Sequence, residues 1–329
     1  MSILESKRII IDFCNSIGLD LVGVSRCEPL IKLKPYLVER KELELENEFE
    51  EKEIEKRINP LLLMEKGKSI ISIAFPYSFG EEKNGSIYFS DYTKGRDYHR
   101  VVSVYLNKIC RLIEELQGEA MPFVDSNPLP ERYLANRSGI GFLGKNNMII
   151  TEKYGSKVFL GEIITSLYLE EDEPIENKCY NCELCLKACP TKSISEEAKN
   201  SNICLSYITQ KKHIEDDWFT KLSGRIFGCD SCQNVCPYNK GASFSSIKEF
   251  LPFEFMKEID LNQLINMDKL VFKDKYSLTS SGWRGKNILQ RNSLISAASL
   301  NLLNTVQINE FNSPYLKDYY HRLLTYFKL

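Results

Sequence analysis

The stretch Cys179-Tyr180-Asn181-Cys182-Glu183-Leu184-Cys185-Leu186-Lys187-Ala188-Cys189-Pro190 recurs in shorter form as Cys229-Asp230-Ser231-Cys232-Gln233-Asn234-Val235-Cys236-Pro237. Seven of the chain's eleven cysteines lie in these two runs. Three thiolates two residues apart can wrap one iron–sulfur cube, while the fourth cysteine, turned away ahead of its proline, reaches the other cluster. The second run is one ligand short, and Cys204, in Asn202-Ile203-Cys204-Leu205, can supply it. The spacing predicts two [4Fe-4S] clusters, one on Cys179, Cys182, Cys185 and Cys236, the other on Cys189, Cys204, Cys229 and Cys232. A zinc site or a disulfide framework competes with this reading, but zinc motifs rarely interleave in this way and disulfide frameworks belong to small secreted domains.

Outward from that module, 329 residues with 43% hydrophobic content suffice for two or three domains, each with its own core. The segment from Met1 to Asp20 mixes Glu5, Lys7, Arg8 and Asp12 into an apolar pattern, so it reads as a helix of the folded protein and not as a signal peptide. No run approaches the roughly 20 apolar residues of a membrane span. Cluster cysteines without an export signal predict a cytoplasmic protein with no membrane partner, since thiols stay reduced there.

The formal net charge of −2 hides an uneven distribution. From Glu39 to Arg57 runs ERKELELENEFEEKEIEKR, which reads as a solvated helix with mixed-sign pairs, a partner site being the alternative. From Lys269 to Leu329, nine Lys and Arg face three acids, a local excess of six positive charges. Such an end can hold phosphates, although solvated helices are often basic too.

Residues 68–76 and 158–169 carry the Ile, Val, Phe and Tyr of buried or half-buried strands. Val101 to Leu116 has helical spacing, and Glu131 to Ser138 reads as a short helix closed by Gly139. The division expected is an α/β or α+β domain over 1–170, with parallel or antiparallel pairing open, the two-cluster module over 171–240, and a helical segment over 241–329. A domain of this size ahead of two clusters needs an acceptor for their electrons. Asp91 to His99, Val124 to Arg132 and Gly139 to Asn146 are the candidate segments, the glycines at 139, 141 and 144 allowing close backbone approach to a bound group. They match neither the dinucleotide fingerprint nor a P-loop.

Taken in order, YTKGRDYH (92–99), VDSNPLPER (124–132), RSGIGFLGKN (137–146), CYNCELCLKACPTKSI (179–194), CLSYITQ (204–210), GCDSCQNVCPYNKG (228–241) and SGWRGKNILQRN (281–292) resemble the epoxyqueuosine reductase family. The likeness runs from about Arg57 to Asn292. It implies a cobalamin-binding domain related to flavin nitroreductases, a ferredoxin-like two-cluster module and a short HEAT-like helical segment. The implied reaction is reductive removal of the epoxide oxygen of epoxyqueuosine at the wobble position of tRNA, giving queuosine. The implied setting is a monomer fed by an external flavodoxin- or ferredoxin-type reductant.

By the same resemblance, Asp125 is the catalytic aspartate and proton donor, which must lose solvation to be protonated at neutral pH. Its bland alternative is a turn cap with Ser126 and Asn127. The resemblance assigns cobalamin contacts to Arg57, Asp97, His99, Asp125, Ile149, Lys212, Asp230 and Ser231. None of the three histidines, His99, His213 and His321, sits in the D-x-H-x-x-G pattern of many cobalt-ligating proteins. Trp283, Arg284, Lys286 and Arg291 are the expected tRNA backbone contacts, with Trp283 as a core residue the alternative. A reductive dehalogenase or a plain electron-transfer protein are the competing functions.

Overall fold

The computed structural model describes residues 3–80, 85–195 and 199–329. The first unit comprises α1 (Ile3–Ser16), β1 (Val22–Arg26), α2 (Lys34–Glu42), α3 (Ile54–Ile58), β2 (Ser69–Pro76), β3 (Tyr88–Phe89), α4 (Tyr98–Glu115), β4 (Ala120–Phe123), α5 (Glu131–Arg137), β5 (Phe142–Leu143), β6 (Ile149–Ile150) and β7 (Val158–Thr165). Its main sheet has the order β1-β2-β7-β4, every neighbouring pair antiparallel. This settles the pairing that the sequence left open.

All eight residues of β2 are buried because the sheet is covered on both sides. Ile71, Ile73 and Phe75 meet Val102, Leu106 and Ile109 of α4 together with Ile10 and Cys14 of α1. The alternate residues face the other way, where Ile70 and Ile164 meet Leu37, Ile58 and Leu134. The period of two thus survives inside a continuously apolar run, each parity serving its own core. One residue breaks that pattern: Glu162, in the middle of β7, is fully buried.

The cluster module follows with α6 (Leu184–Ala188), α7 (Leu205–Ile208), α8 (Phe219–Leu222), β8 (Arg225–Phe227) and α9 (Ser231–Asn234). The C-terminal part holds α10 (Glu254–Lys257), α11 (Leu261–Ile265), α12 (Lys269–Asp274), α13 (Lys286–Ser299) and α14 (Pro314–Phe327). The boundaries at 170 and 240 are less clean than expected. Strand β3 pairs in parallel with β8, and Ile247 and Phe250 sit in the core of the first unit. Leu205, Ile208, Phe219 and Leu222 share one core with Leu294, Ala298, Leu316 and Tyr319. Module and helical end therefore fold around common apolar residues, as short cysteine-rich segments with little core of their own require.

The acidic stretch 39–57 is not one helix. Helix α2 stops at Glu42, and the chain loops back before α3. Burial of Arg40 explains the break, because its guanidinium binds Glu50, the Leu45 carbonyl and the Lys199 carbonyl. Phe49, carried by this loop, packs edge-on against Tyr207 and Trp283. A continuous solvated helix would forgo all of these contacts.

Candidate active site

The geometry is densest where α4 begins. Asp97 caps α4, accepting from the His99 amide, and its Oδ1 lies 2.8 Å from His99 Nδ1. His99 Nε2 stands 2.9 Å from Asp125 Oδ2, so three side chains from two segments form a carboxylate–imidazole–carboxylate line. Burial opposes the imidazolium, yet the hydrogen bonds and charges of Asp125 and Asp97 outweigh it and raise His99 to about 9. At neutral pH the imidazole in this line is protonated.

Asp125 sits at the tip of the loop after β4, with φ +51° and a side chain 52% exposed. That backbone is uncommon for a residue with a Cβ, though aspartate is among the side chains that adopt it most readily. The loop is tied down by Glu131, the first residue of α5, whose Oε1 accepts from the Asp125 amide at 2.6 Å and from Asn127 Nδ2 at 3.3 Å. Tyr98 lies behind, stacked on Phe159 and His99.

One residue links this corner to the cysteines. Tyr92 has Asp230, Asp125 and Cys204 among its charged neighbours and bonds Ser206 through its hydroxyl. Burial, before any of these, drives its pKa upward.

The cysteines of the two runs and Cys204 lie near one another. Cys185 has Cys179, Cys236 and Cys182 as its neighbouring sulfurs, and Cys204 has Cys229 and Cys189. Cys179, Cys182, Cys185 and Cys236 line one cavity together with Lys145, Asn146 and Tyr238. Among the described residues, no three His, Cys, Asp or Glu side chains close around one metal ion. The second set is packed close to the first: Cys232 is raised by burial and then by Cys229, Cys204, Cys185 and Cys189.

Other expected residues divide less evenly. Asp97, His99 and Asp125 come together, and Ser231 receives a bond from Arg225 and lies 3.4 Å from Cys229 Sγ. Lys212 is exposed, and Ile149 is buried in β6. Arg57 is engaged by Glu46 at 3.3 Å and Glu50 at 3.5 Å. Asp230 is turned inward, accepting from Ser90 Oγ and from the Asp91 amide, while burial and then the charge of Asp91 lift it to about 6. Its carboxylate joins the 90–91 turn to the cluster module.

Three expectations are corrected. The glycines at 141 and 144 do not open the backbone to a bound group. A Cβ there would strike Ile150, so these glycines permit close packing of the chain on itself. The same segment reaches the cysteines, the Lys145 amide pointing at Cys179 Sγ from 3.4 Å. Arg291 is fully buried and donates to the carbonyls of Thr209, Lys211 and Lys212, so it cannot touch a tRNA phosphate. Trp283 is 52% exposed and is not core. One residue escaped sequence reasoning: Phe49, in the patch where Arg284 lies over Phe49 and Trp283.

Residues 57–126 match the family model described as "Epoxyqueuosine reductase QueG, DUF1730", and residues 178–239 match "4Fe-4S double cluster binding domain". The chain is 37% identical over 310 residues to an epoxyqueuosine reductase of Bacillus anthracis, covering 91% of this chain and 81% of that protein. It is 38% identical over 303 residues to the one from Listeria monocytogenes, covering 89% and 80%. Its fold is similar to a crystal structure of epoxyqueuosine reductase with a tRNA-Tyr epoxyqueuosine-modified stem loop, at TM-score 0.90 and 33% identity, over 98% of this chain and 90% of that one. A Bacillus subtilis epoxyqueuosine reductase with its catalytic aspartate loop swung out of the active site matches at TM-score 0.90 and 32% identity, with the same coverage.

Proposed function

The chain belongs to the epoxyqueuosine reductase family, and from that premise we propose that the Asp125 corner is where the epoxide oxygen is removed. The protein is an oxidoreductase that converts epoxyqueuosine in tRNA to queuosine, with cobalamin and two [4Fe-4S] clusters as cofactors. The reaction takes up two electrons and two protons and releases the oxygen as water. The observation that carries the proposal is the Asp97–His99–Asp125 line, with Tyr92 near Asp125 and its ring packed against Gly228, the residue before Cys229. Protons and electrons thus converge on one place.

Asp125 is the group that meets the substrate, and His99 is its proton reserve. Asp125 Oδ2 accepts from His99 Nε2, so the proton that reaches the substrate oxygen through Asp125 is drawn from the imidazolium, and Asp97 keeps Nδ1 protonated and the ring in place. This differs from a donor kept protonated by desolvation alone, since half of the Asp125 side chain is open to solvent. The loop from Val124 to Pro130 is the counterpart of the mobile catalytic loop in the Bacillus subtilis relative.

The residues present suit a corrin. Both nitrogens of His99 are engaged by carboxylates and cannot ligate cobalt. Arg225 Nε is buried with no acceptor in the protein, while its Nη2 holds Ser231 Oγ, which leaves an unused donor where a corrin amide oxygen would be welcome. Ser231, Arg225 and the exposed Lys212 would hold the cofactor. Bound cobalamin supplies a low-valent metal nucleophile matched to electrons from the clusters.

The tRNA patch is Trp283, Arg284 and Lys286, joined by Phe49. An exposed indole with a guanidinium stacked on it suits a flipped or unstacked base beside a phosphate. The chain works as a monomer with an external flavodoxin- or ferredoxin-type reductant. Anaerobic reconstitution tests the proposal: about eight irons per chain, bound cobalamin and queuosine formation on epoxyqueuosine-containing tRNA are expected. Turnover of aryl halides instead of that tRNA, or protein that takes up iron but no cobalamin, would refute it.

A further inference from the structure

Glu162 stands in the centre of β7 with no exposure, between Leu160 and Ile164 on the face that covers α5, opposite Ser72 of β2 and Phe123 of β4. Neither of its oxygens has a hydrogen-bond donor from the protein. A carboxylate left so would cost several kcal/mol by order of magnitude, and proteins avoid this by neutralising the group. The polar side chain it meets is another acid, Glu131, which already uses Oε1 to hold the Asp125 amide and Asn127. Two carboxylates in contact inside a protein cannot both be charged.

We propose that Glu162 is a neutral carboxylic acid that donates its proton to Glu131, and that this shared proton is what fixes the catalytic Asp125 loop in its working position. Glu162 is a positioning residue, acting through Glu131. With Oε1 committed to the loop, Glu131 has Oε2 for the Glu162 proton. The pair then carries one negative charge, facing the Asp125 N–H, and that charge-assisted bond holds Asp125 at φ +51°. The other charged groups facing the pair are Asp125 from the loop and Arg132 from α5, with Tyr98 of α4 close by; Ser72 and Phe123 bring no charge from the sheet. Burial, and then Asp125, lift Glu131 to about 7, and burial, then Glu131, drives Glu162 well above its ordinary value, in keeping with one proton held between them.

The inference rests on Asp125 as the group that meets the substrate, but the pair can be tested without turnover. Infrared difference spectra of the reconstituted holoenzyme at pH 7, wild type against Glu162→Gln, should show a neutral carboxylic acid band that the variant loses. Glu162→Gln keeps an amide donor for Glu131 and should turn over epoxyqueuosine tRNA within about threefold of the wild type. Glu162→Leu removes the donor. It should lose kcat by about 10- to 100-fold with tRNA KM little changed, and the amide of Asp125 should exchange its hydrogen faster. Iron content and thermal melting of both variants establish that they fold. Absence of the infrared band, or equal loss of kcat in the Gln and Leu variants, overturns the proposal. Should Glu162→Leu not fold, the infrared band and the Gln variant decide alone. Lack of wild-type turnover with the band present would count against the Asp125 reading and not against the pair.

Discussion

Two polar clusters in this molecule use the same kinds of groups to opposite ends. Around Arg291, every partner is protein: three carbonyls from 209–212, Asn292 Oδ1 and the Tyr315 hydroxyl surround a guanidinium with no exposure. Around Asp125, one carboxylate oxygen meets His99, the side chain is half open and the backbone is in the left-handed region. A satisfied cluster is a joint, and here it ties α13 to the segment after Cys204. An incompletely satisfied cluster, held by a second layer of anchors, is where a substrate can complete the bonding.

That contrast can be broken from either side. The largest effect is expected from Asp125→Asn, which should lower turnover by about 10²- to 10⁴-fold while iron and cobalamin binding persist; unchanged turnover, or loss of cofactors with it, would make Asp125 an ordinary turn residue. Arg291→Met should instead cost about 3–5 kcal/mol of stability, since it leaves buried carbonyls unpaired. Denaturant unfolding measures it. A variant of wild-type stability with weakened, less salt-sensitive tRNA binding would return Arg291 to the nucleic-acid surface.

At the second cysteine set, Cys204→Ala should cut iron from about eight to about four per chain, with one cluster still visible by electron paramagnetic resonance. Eight irons in the variant would remove Cys204 from the ligand set. The smallest effect concerns pH. His99 is raised to about 9, above the ordinary histidine value near 6.5. Its stabilising contribution is therefore complete below about pH 6.5 and is lost as pH rises through about 9. The pair is partly exposed, so the loss should stay below about 1 kcal/mol, yet turnover should fall over the same alkaline range. His99→Gln should be slower and lack that alkaline limb; a limb that survives the substitution belongs to another group.

Much of the site was legible where one object gathers neighbouring residues. Cys179, Cys182 and Cys185 are separated by two residues each because one cube must be reached from one short turn, and a reader needs only that spacing. Asp125 was reachable through the motif around it, but its partner was not: His99 lies 26 residues earlier, and only the packing of α4 beside the loop brings the imidazole to it. The basic tail misled for the same reason. Trp283, Arg284 and Arg291 look alike in sequence, and whether carbonyls from 209–212 wait for the guanidinium is a property of the shared core. The acidic stretch 39–57 failed as a helix because Arg40 and Phe49 find distant partners whose contacts outweigh local propensity.

By itself the sequence determined the metal chemistry and the order of the parts, because covalent spacing along a short segment limits which sulfurs can share a cluster. Tertiary structure alone decided which charges are working groups and which are joints. Charge and hydrogen-bond capacity are written in each residue, but dielectric surroundings and partners come from segments tens to more than a hundred positions away, and these determine where a proton rests.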